Sequence, residues 1–214
     1  MKEAEVFRGT QIFDILNGLH NVYTDIENAQ IQWKKASPMN CPEGCGTCCH
    51  DFEPDVLESE ALYMAAWMLV NQKEKAELIM EGNYIPHRFF SDTALSNEGC
   101  FLFNPDDPYH CTVYEGRALI CRLFGYSGDL DKNGKHRWKP CKFYQGLLKN
   151  NLEKRQYSEE ELSALCGDLP PVMSQAMSQA LSLTPEDPKT YPLREALPAA
   201  LLKLKLILRF LGPE

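Results

Sequence analysis

The spacing of apolar residues predicts a mostly helical chain. Between residues 10 and 35 they recur every three or four positions, as along one face of a helix. The residues of this face are Ile12, Ile15, Leu16, Leu19, Val22, Tyr23 and Ile26. A second helix is predicted over about 55–81, because Pro54 suits a helix start and Gly82 suits a helix end. A short third helix is predicted over 86–99.

The middle of the chain has a different pattern. Residues 100–114 are predicted to form a strand, a turn and a second strand, and residues 117–124 a short helix ended by Gly125. The Asn133-Gly134 pair is the strongest short hairpin signal. Further helices are predicted over residues 141–153, 158–166, 170–183 and 193–211.

Charge and motif content exclude several classes of protein. The chain has 22 Lys+Arg against 30 Asp+Glu, a formal charge of −8. An acidic chain is a poor general nucleic-acid binder, since such proteins need a basic surface to replace phosphate counterions. No P-loop, dinucleotide fingerprint or Ser/His/Asp arrangement supports NTPase, dehydrogenase or hydrolase chemistry.

The compartment decides what the cysteines can do. The first residues include Glu3 and Glu5 and no continuous apolar run, so no secretory signal is predicted. No membrane span is predicted either, because the most apolar stretch, residues 197–211, is interrupted by basic side chains. We therefore expect a cytoplasmic protein, in which thiols stay reduced and clustered thiols usually bind metal.

Nine cysteines are more than such a chain needs for packing. Cys166 lies alone in an apolar helical segment and is predicted to be a packing residue, since cysteine behaves there as a small hydrophobe. The other eight fall into two groups of four, over 41–49 and 100–141. These candidate metal ligands are Cys41, Cys45, Cys48, Cys49, Cys100, Cys111, Cys121 and Cys141.

Thiolates are soft ligands that select zinc, iron–sulfur clusters or copper(I) over magnesium and calcium. Eight thiols equal two tetrahedral sets or two four-cysteine clusters. Because Cys48 and Cys49 are adjacent, their side chains are expected to diverge, so that each could serve a different ion. Arg117 and Arg122 are expected to offset the thiolate charge from the second layer, with Tyr114 packed nearby.

Two histidines adjoin candidate ligands. His50 follows Cys49 and His110 precedes Cys111. Either could replace a thiol as ligand, but a hydrogen-bonding role beside the site is the expected one.

The order and spacing of these cysteines resemble a known family. The segments that carry the resemblance are Cys41-x3-Cys45-x2-Cys48-Cys49, Cys100-Phe-Leu-Phe, Cys111-x9-Cys121-Arg-Leu-Phe-Gly and Lys-Pro-Cys141. They resemble the CxxCxxCC family, also called the YkgJ family, whose members are described as zinc- or iron-chelating proteins. The chain departs from the family pattern in its first spacing, C-x3-C, and in Ala118, where a proline is usual.

We therefore predict a single domain over 1–214, with a metal-binding core at 41–145 and a C-terminal helical region at 150–214. The expected fold is mainly α with a small cysteine-rich β-hairpin module, a metal-stapled α+β protein. The predicted function is cysteine-ligated binding of zinc or iron, with an iron–sulfur cluster as one form, and no catalytic residue is assigned.

Two alternatives stay open. The similarity implies one of them, an iron–sulfur-dependent oxidoreductase or a methyl-transfer enzyme acting on a protein. A loosely similar cysteine signature occurs in flagellin lysine methylases, and some relatives are called iron–sulfur oxidoreductases. The other alternative is a purely structural metal in an interaction module.

The C-terminal helix carries two apolar stripes on nearly opposite faces. The first consists of Leu197, Leu201, Leu204, Leu208 and Leu211, and the second of Leu202, Leu206 and Phe210. Basic residues lie between the stripes. We expect a helix buried on both sides, or one that contacts a protein partner or a second copy as a homodimer; a membrane surface is the weaker alternative.

Overall fold

The structure is a computed structural model that describes residues 1–37, 45–50, 52–87, 99–141 and 152–212. Helices make up 56% of these residues, and strands only 9%. The α-helices are α1 (Gln11–Ala36), α2 (Thr47–His50), α3 (Glu58–Asn71), α4 (Lys73–Met80), α5 (Leu119–Leu123), α6 (Glu159–Cys166), α7 (Met173–Leu181) and α8 (Leu193–Leu211). Two 3-10 helices, Lys2–Phe7 and Tyr114–Gly116, complete the helical part.

The strands form two small antiparallel sheets. In the first, β1 (Asp55–Leu57) pairs with β5 (Thr190–Pro192). In the second, β3 (His136–Trp138) lies between β2 (Asp129–Leu130) and β4 (Tyr157–Ser158). The mainly helical fold with small antiparallel sheets is thus confirmed, whereas the metal staple stays a prediction.

The chain falls into two compact units. Unit 1 comprises Met1–His20, Gly44–Ala118 and Ala180–Glu214, and unit 2 comprises Asn21–Glu43 and Leu119–Gln179. Each unit has buried apolar residues of its own.

The core of unit 1 is built on α3, which packs against α4 and α8. Small and apolar residues bury most of α3, and a buried carboxylate orders its first turn: Glu60 accepts a hydrogen bond of 2.8 Å from the backbone N–H of Leu57. Toward α3, α8 buries residues spaced by three or four positions, as a helix with one inner face requires. These residues are Leu193, Leu197, Ala200, Leu201 and Leu204.

The core of unit 2 is aromatic. The rings of Trp33 and Trp138 meet edge to face with centroids 5.4 Å apart, a favourable arrangement for two aromatic rings. Both are fully buried, in a cluster that also contains Leu152, Tyr157 and Leu162. This cluster joins α1, β3, β4 and α6.

Several predicted elements are confirmed by the structure. The helices predicted over 10–35, 158–166 and 193–211 correspond to α1, α6 and α8. Ser158 begins α6 by accepting a hydrogen bond from the N–H of Glu161, as an N-cap does. The predicted hairpin joins β2 to β3, with Gly134 at φ +77.

Other predictions need correction. The helix predicted over 55–81 begins with β1, and it is interrupted at Gln72, where φ is −144 and ψ is 52. The two strands predicted within 100–114 are reduced to one antiparallel bridge between Phe103 and Cys111. Most of the helices predicted over 86–99 and 141–153 lie outside the described residues.

Candidate metal centre

The eight predicted ligands are distributed over both units. Unit 1 contains Cys45, Cys48, Cys49, Cys100 and Cys111. Unit 2 contains Cys121 on α5 and Cys141 after β3, whereas Cys41 lies outside the described residues. All described cysteines are thiols.

The two adjacent cysteines of α2 point their thiols toward each other. The Sγ atoms of Cys48 and Cys49 are 4.0 Å apart. A tetrahedral ion with metal–sulfur bonds of about 2.3 Å places its sulfur ligands about 3.8 Å apart. The expectation that these side chains diverge is therefore wrong, because the short helical turn of α2 brings both thiols together. Their separation suits two ligands of one ion.

Backbone contacts bring the second cysteine group to α2. The N–H of Cys100 donates a hydrogen bond of 2.9 Å to the carbonyl of Cys49. The chain then turns, with the N–H of Phe103 bonded to the carbonyl of Cys100 at 3.0 Å. The bridge between Phe103 and Cys111 aligns the returning segment beside it. The adjacent pair Cys48 and Cys49 thus belongs to one local substructure of unit 1 with Cys100 and Cys111, which follow more than 50 positions later.

A glycine and a histidine make a close contact beside these cysteines. A Cβ atom added at Gly46 would lie 2.4 Å from Cβ of His110, so only glycine fits there. His110 has a φ of +52, in the left-handed region that residues other than glycine rarely adopt. Its Nδ1 lies 3.1 Å from the carbonyl oxygen of Pro105, which fixes the orientation of the ring. The contact places the loop before α2 directly against the residue that precedes Cys111.

Three histidine side chains pack around the phenyl ring of Phe103. The ring centroids of His50, His87 and His110 lie 4.8, 5.4 and 5.6 Å from that of Phe103. His110 packs against both the loop before α2 and the phenyl ring of Phe103.

An ion pair holds the backbone next to Cys100. Glu53 accepts hydrogen bonds from Nε and Nη2 of Arg194 at 2.8 and 3.0 Å. The same carboxylate accepts a bond of 2.9 Å from the N–H of Phe101. Its side chain is only 11% exposed. Such a two-pronged pair is geometrically specific, so it fixes where Cys100 begins its turn.

The surroundings of the thiols shift their proton affinities in opposite directions. Burial raises the pKa of Cys100 to about 12, and the negative charges of Cys111, Glu53 and Cys48 add to the effect. Burial likewise raises the pKa of Cys111, against the attraction of Arg117. A hydrogen bond from the thiol of Cys49 lowers the pKa of Cys48 to about 7. Buried thiols that repel one another as thiolates would be stabilised by a cation placed among them.

The two arginines predicted to offset the thiolate charge have different described partners. The charge of Arg117 acts to lower the pKa of Cys111, while its guanidinium stacks 3.9 Å from the ring centroid of Tyr114. Arg122 forms an ion pair of 2.7 Å with Glu27 and stacks over Tyr23 in unit 2. Glu27 and Tyr23 both lie on α1.

Thiols are suitable ligands for a thiophilic metal, but the described thiols do not all point toward one position. Within the described ranges, no three side chains of His, Cys, Asp or Glu are arranged to hold an ion. Cys45 lies at the edge of the group, where its Sγ is 3.5 Å from the hydroxyl of Thr47. The backbone already brings these cysteines to one region, so a metal site would require only that their thiol side chains rotate toward a common point.

Two cysteines of unit 2 contact its apolar cluster. Cys166, predicted to be a packing residue, contacts the cluster around Trp33 and Trp138. Cys141 packs against the same cluster. The sequence predicts Cys141 to be a metal ligand and Cys166 to be a packing residue, yet both contact the same apolar cluster in the structure.

The similarity to known proteins agrees with this description. Residues 40–145 match the family model CxxCxxCC, described as a "putative zinc- or iron-chelating domain". Through this segment, close to half of its length, the chain belongs to the CxxCxxCC family. No curated protein and no solved structure shows significant similarity to the chain. Among the described helices, none has the length and apolarity that crossing a membrane requires.

Sequence reasoning missed the residues that support the cysteines. Glu53 contacts partners 48 and 141 positions away along the chain, and no local pattern indicates this. The structure also shows that Gly46 makes room for His110. A glycine between two cysteines of a short motif is the signal that could have indicated a close approach.

Proposed function

We propose that unit 1 binds one zinc or iron ion through the thiolates of Cys48, Cys49, Cys100 and Cys111. The observation that carries the proposal is the separation of 4.0 Å between the first two thiols, with Cys100 bonded to the backbone of the same turn. The family's described zinc or iron chelation supports it. Four thiolates are a complete tetrahedral set for either metal.

The surrounding charges suit such an ion. Four thiolates around a divalent cation carry a net charge of −2, which a nearby guanidinium can offset. Arg117 is in place for this, since it attracts the Cys111 thiolate. Binding must release the protons that Cys100 and Cys111 hold tightly in the metal-free protein. The metal would add positive charge directly among these buried thiols.

A single ion is favoured over a four-iron cluster by the adjacent pair. In a four-iron cluster held by four cysteines each thiolate binds a different iron, whereas Cys48 and Cys49 lie at the separation expected for one ion. With four protein ligands the ion would have no open position, which is the property of a structural rather than a catalytic site. Cys41, Cys45, Cys121 and Cys141 stay predicted ligands.

Anaerobic purification followed by elemental analysis and a visible spectrum tests the proposal. We expect zinc or iron at about one ion per chain from these four ligands, with the tetrahedral spectrum of a thiolate site after cobalt(II) substitution. Serine at any of the four positions should lower metal affinity at least tenfold, whereas Cys166→Ser, the matched control, should not.

Three outcomes would contradict the proposal. Folded protein without metal would remove it altogether. Iron with acid-labile sulfide would replace the single ion by a cluster. Unchanged metal content in the serine variants of Cys48, Cys49, Cys100 and Cys111 would move the site to the other predicted ligands, whose serine variants form the second arm of the experiment.

A further inference from the structure

The outer face of α8 is apolar and exposed. Leu202 and Leu206 are each 53% exposed and Phe210 is 82% exposed. The three residues follow one another by about one helical turn and so form one stripe. The opposite stripe of the same helix, which includes Leu197 and Leu201, is fully buried in unit 1. The expectation that both sides are buried within the chain is therefore wrong for the outer stripe. A continuous exposed stripe of this kind indicates a contact surface.

Charge symmetry indicates what this face contacts. Glu195 lies seven residues before Leu202 and Arg209 lies seven residues after it. Seven residues are close to two helical turns, so both charges project on the same face as Leu202, each about 10 Å from it along the axis. Both are exposed, and within the part of the chain that the structure describes neither makes an ion pair.

We propose that α8 binds α8 of a second copy of this chain in an antiparallel pair centred on Leu202. A twofold axis through this point would place Glu195 opposite Arg209 of the partner subunit, and the same pair would recur on the other side. Leu206 would then pack over the short side chain of Ala199 in the partner subunit, and Phe210 would lie at the outer end of the pair. A parallel pair would instead oppose like charges at both positions.

The remaining charges of the helix disfavour a membrane as the occupant. Lys203 contacts Glu58 at 2.5 Å, and Lys205 contacts Glu77 at 3.7 Å, so acids of the same chain already offset both lysines. The charges left on the outer face are one acid and one base, with no net attraction to an anionic surface. The face is complementary to itself rather than to lipid.

The contact is expected to be weak. A helix of 19 residues is about 29 Å long, and a pair of such helices buries less than a standard interface. We therefore expect reversible dimers in the micromolar range or weaker, visible as concentration dependence. The proposal concerns α8 alone and does not depend on the metal centre.

Sedimentation equilibrium over a wide concentration range tests the pair. The wild-type chain should shift from 24.4 kDa toward twice that mass. Leu202→Ser should remove association, and its helical circular dichroism should be unchanged because the side chain is exposed. Glu195→Arg and Arg209→Glu should each weaken association roughly tenfold by replacing two attractions with two repulsions.

Mixing the two charge variants gives the decisive result. One variant carries Arg at both positions and the other carries Glu at both, so a mixed antiparallel pair regains both ion pairs. We expect the mixture to associate at least as well as wild type while each variant alone does not. A wild-type chain that stays monomeric throughout, or a mixture that fails to associate, would overturn the proposal. Binding of anionic vesicles that Leu206→Ser removes would assign the stripe to lipid instead.

Discussion

The cysteines of unit 1 and those of unit 2 differ in what surrounds them. In unit 1, Cys48, Cys49 and Cys100 lie together on one short turn and its backbone partner, among charged and hydrogen-bonding groups. In unit 2, Cys141 and Cys166 contact an aromatic cluster. The spacing of a cysteine within a motif therefore does not define its role. Polar neighbours favour a thiolate that can bind a cation, whereas apolar neighbours favour a neutral thiol that packs as a small hydrophobic side chain.

Metal removal should give the largest difference between the units. Structural zinc contributes about 10–16 kcal/mol of apparent binding energy in small zinc domains, so its loss should open the segment around Cys100 and Cys111. Hydrogen exchange followed by mass spectrometry, with and without a chelator, measures this. Residues 99–113 should lose protection, while β3 and the second half of α1 in unit 2 keep theirs. Equal loss in both units would contradict the comparison.

Removing an aromatic side chain of the core of unit 2 should destabilise unit 2 and leave the metal centre of unit 1 unaffected. Trp138→Ala deletes a fully buried ring that packs on Trp33, and such truncations cost about 3–5 kcal/mol. Urea unfolding should show unit 2 destabilised by that amount, with metal content of the folded protein unchanged. Cys166→Ala is the matched control, because this half-buried side chain should cost less than about 1 kcal/mol. Loss of metal in the Trp138 variant would show that the two roles are not separate.

A methyl group at Gly46 should weaken the metal centre without touching a ligand. In Gly46→Ala the new Cβ would meet the Cβ of His110 at 2.4 Å, so the loop or the histidine must move. Overpacking of this kind costs about 1–3 kcal/mol, and supporting contacts of metal ligands are worth about 10–100-fold in affinity. Competition with a chromophoric chelator measures the affinity.

The pair Gly46→Ala with His110→Gly supplies the control. Glycine at position 110 removes the clash and suits a φ of +52. The double variant should therefore bind metal better than Gly46→Ala alone. If the single and double variants bind equally weakly, the histidine matters for itself and not for the space it occupies.

The parts of the fold that follow from nearby residues were predictable. The apolar periodicity of α1 and the Asn133-Gly134 turn both act within a few residues, and both are confirmed. The strand β1 was not predictable, because Val56 pairs with Tyr191, which is 135 positions away. Local propensity over 55–57 is overruled by a partner that no window of sequence contains.

The candidate ligands could likewise be predicted from nearby residues, but the residues that support them could not. The cysteine spacing indicated Cys48, Cys49 and Cys100 as ligands, and that assignment stays a prediction that the structure makes specific. What spacing could not indicate is the support: Glu53 bonded to Arg194, and His110 seated against Gly46. These are long-range contacts, and chemistry alone does not mark Glu53 among 30 acidic residues.

A polar contact in unit 2 should give the smallest effect. Ser174 on α7 donates a hydrogen bond of 2.5 Å to Asp129 on β2, and this bond holds the pKa of the carboxyl below its usual range. A carboxyl with a lowered folded-state pKa adds stability above its ordinary pKa of about 3.9, and that contribution disappears as the pH falls through the folded value. Because the carboxyl is largely exposed, Ser174→Ala should cost less than about 1 kcal/mol near neutral pH.

The pH dependence distinguishes this bond from packing. The difference in free energy of unfolding between wild type and Ser174→Ala should shrink as the pH is lowered below about 4, since the protonated carboxyl no longer attracts the hydroxyl as a charge. In the variant, the carboxyl pKa measured by NMR titration should rise toward its ordinary value. A difference that is constant with pH would mean that Ser174 acts through packing. Packing rather than hydrogen bonding would then stabilise unit 2 even at Ser174. The polar surroundings of the thiols in unit 1 would differ still more clearly from those of unit 2.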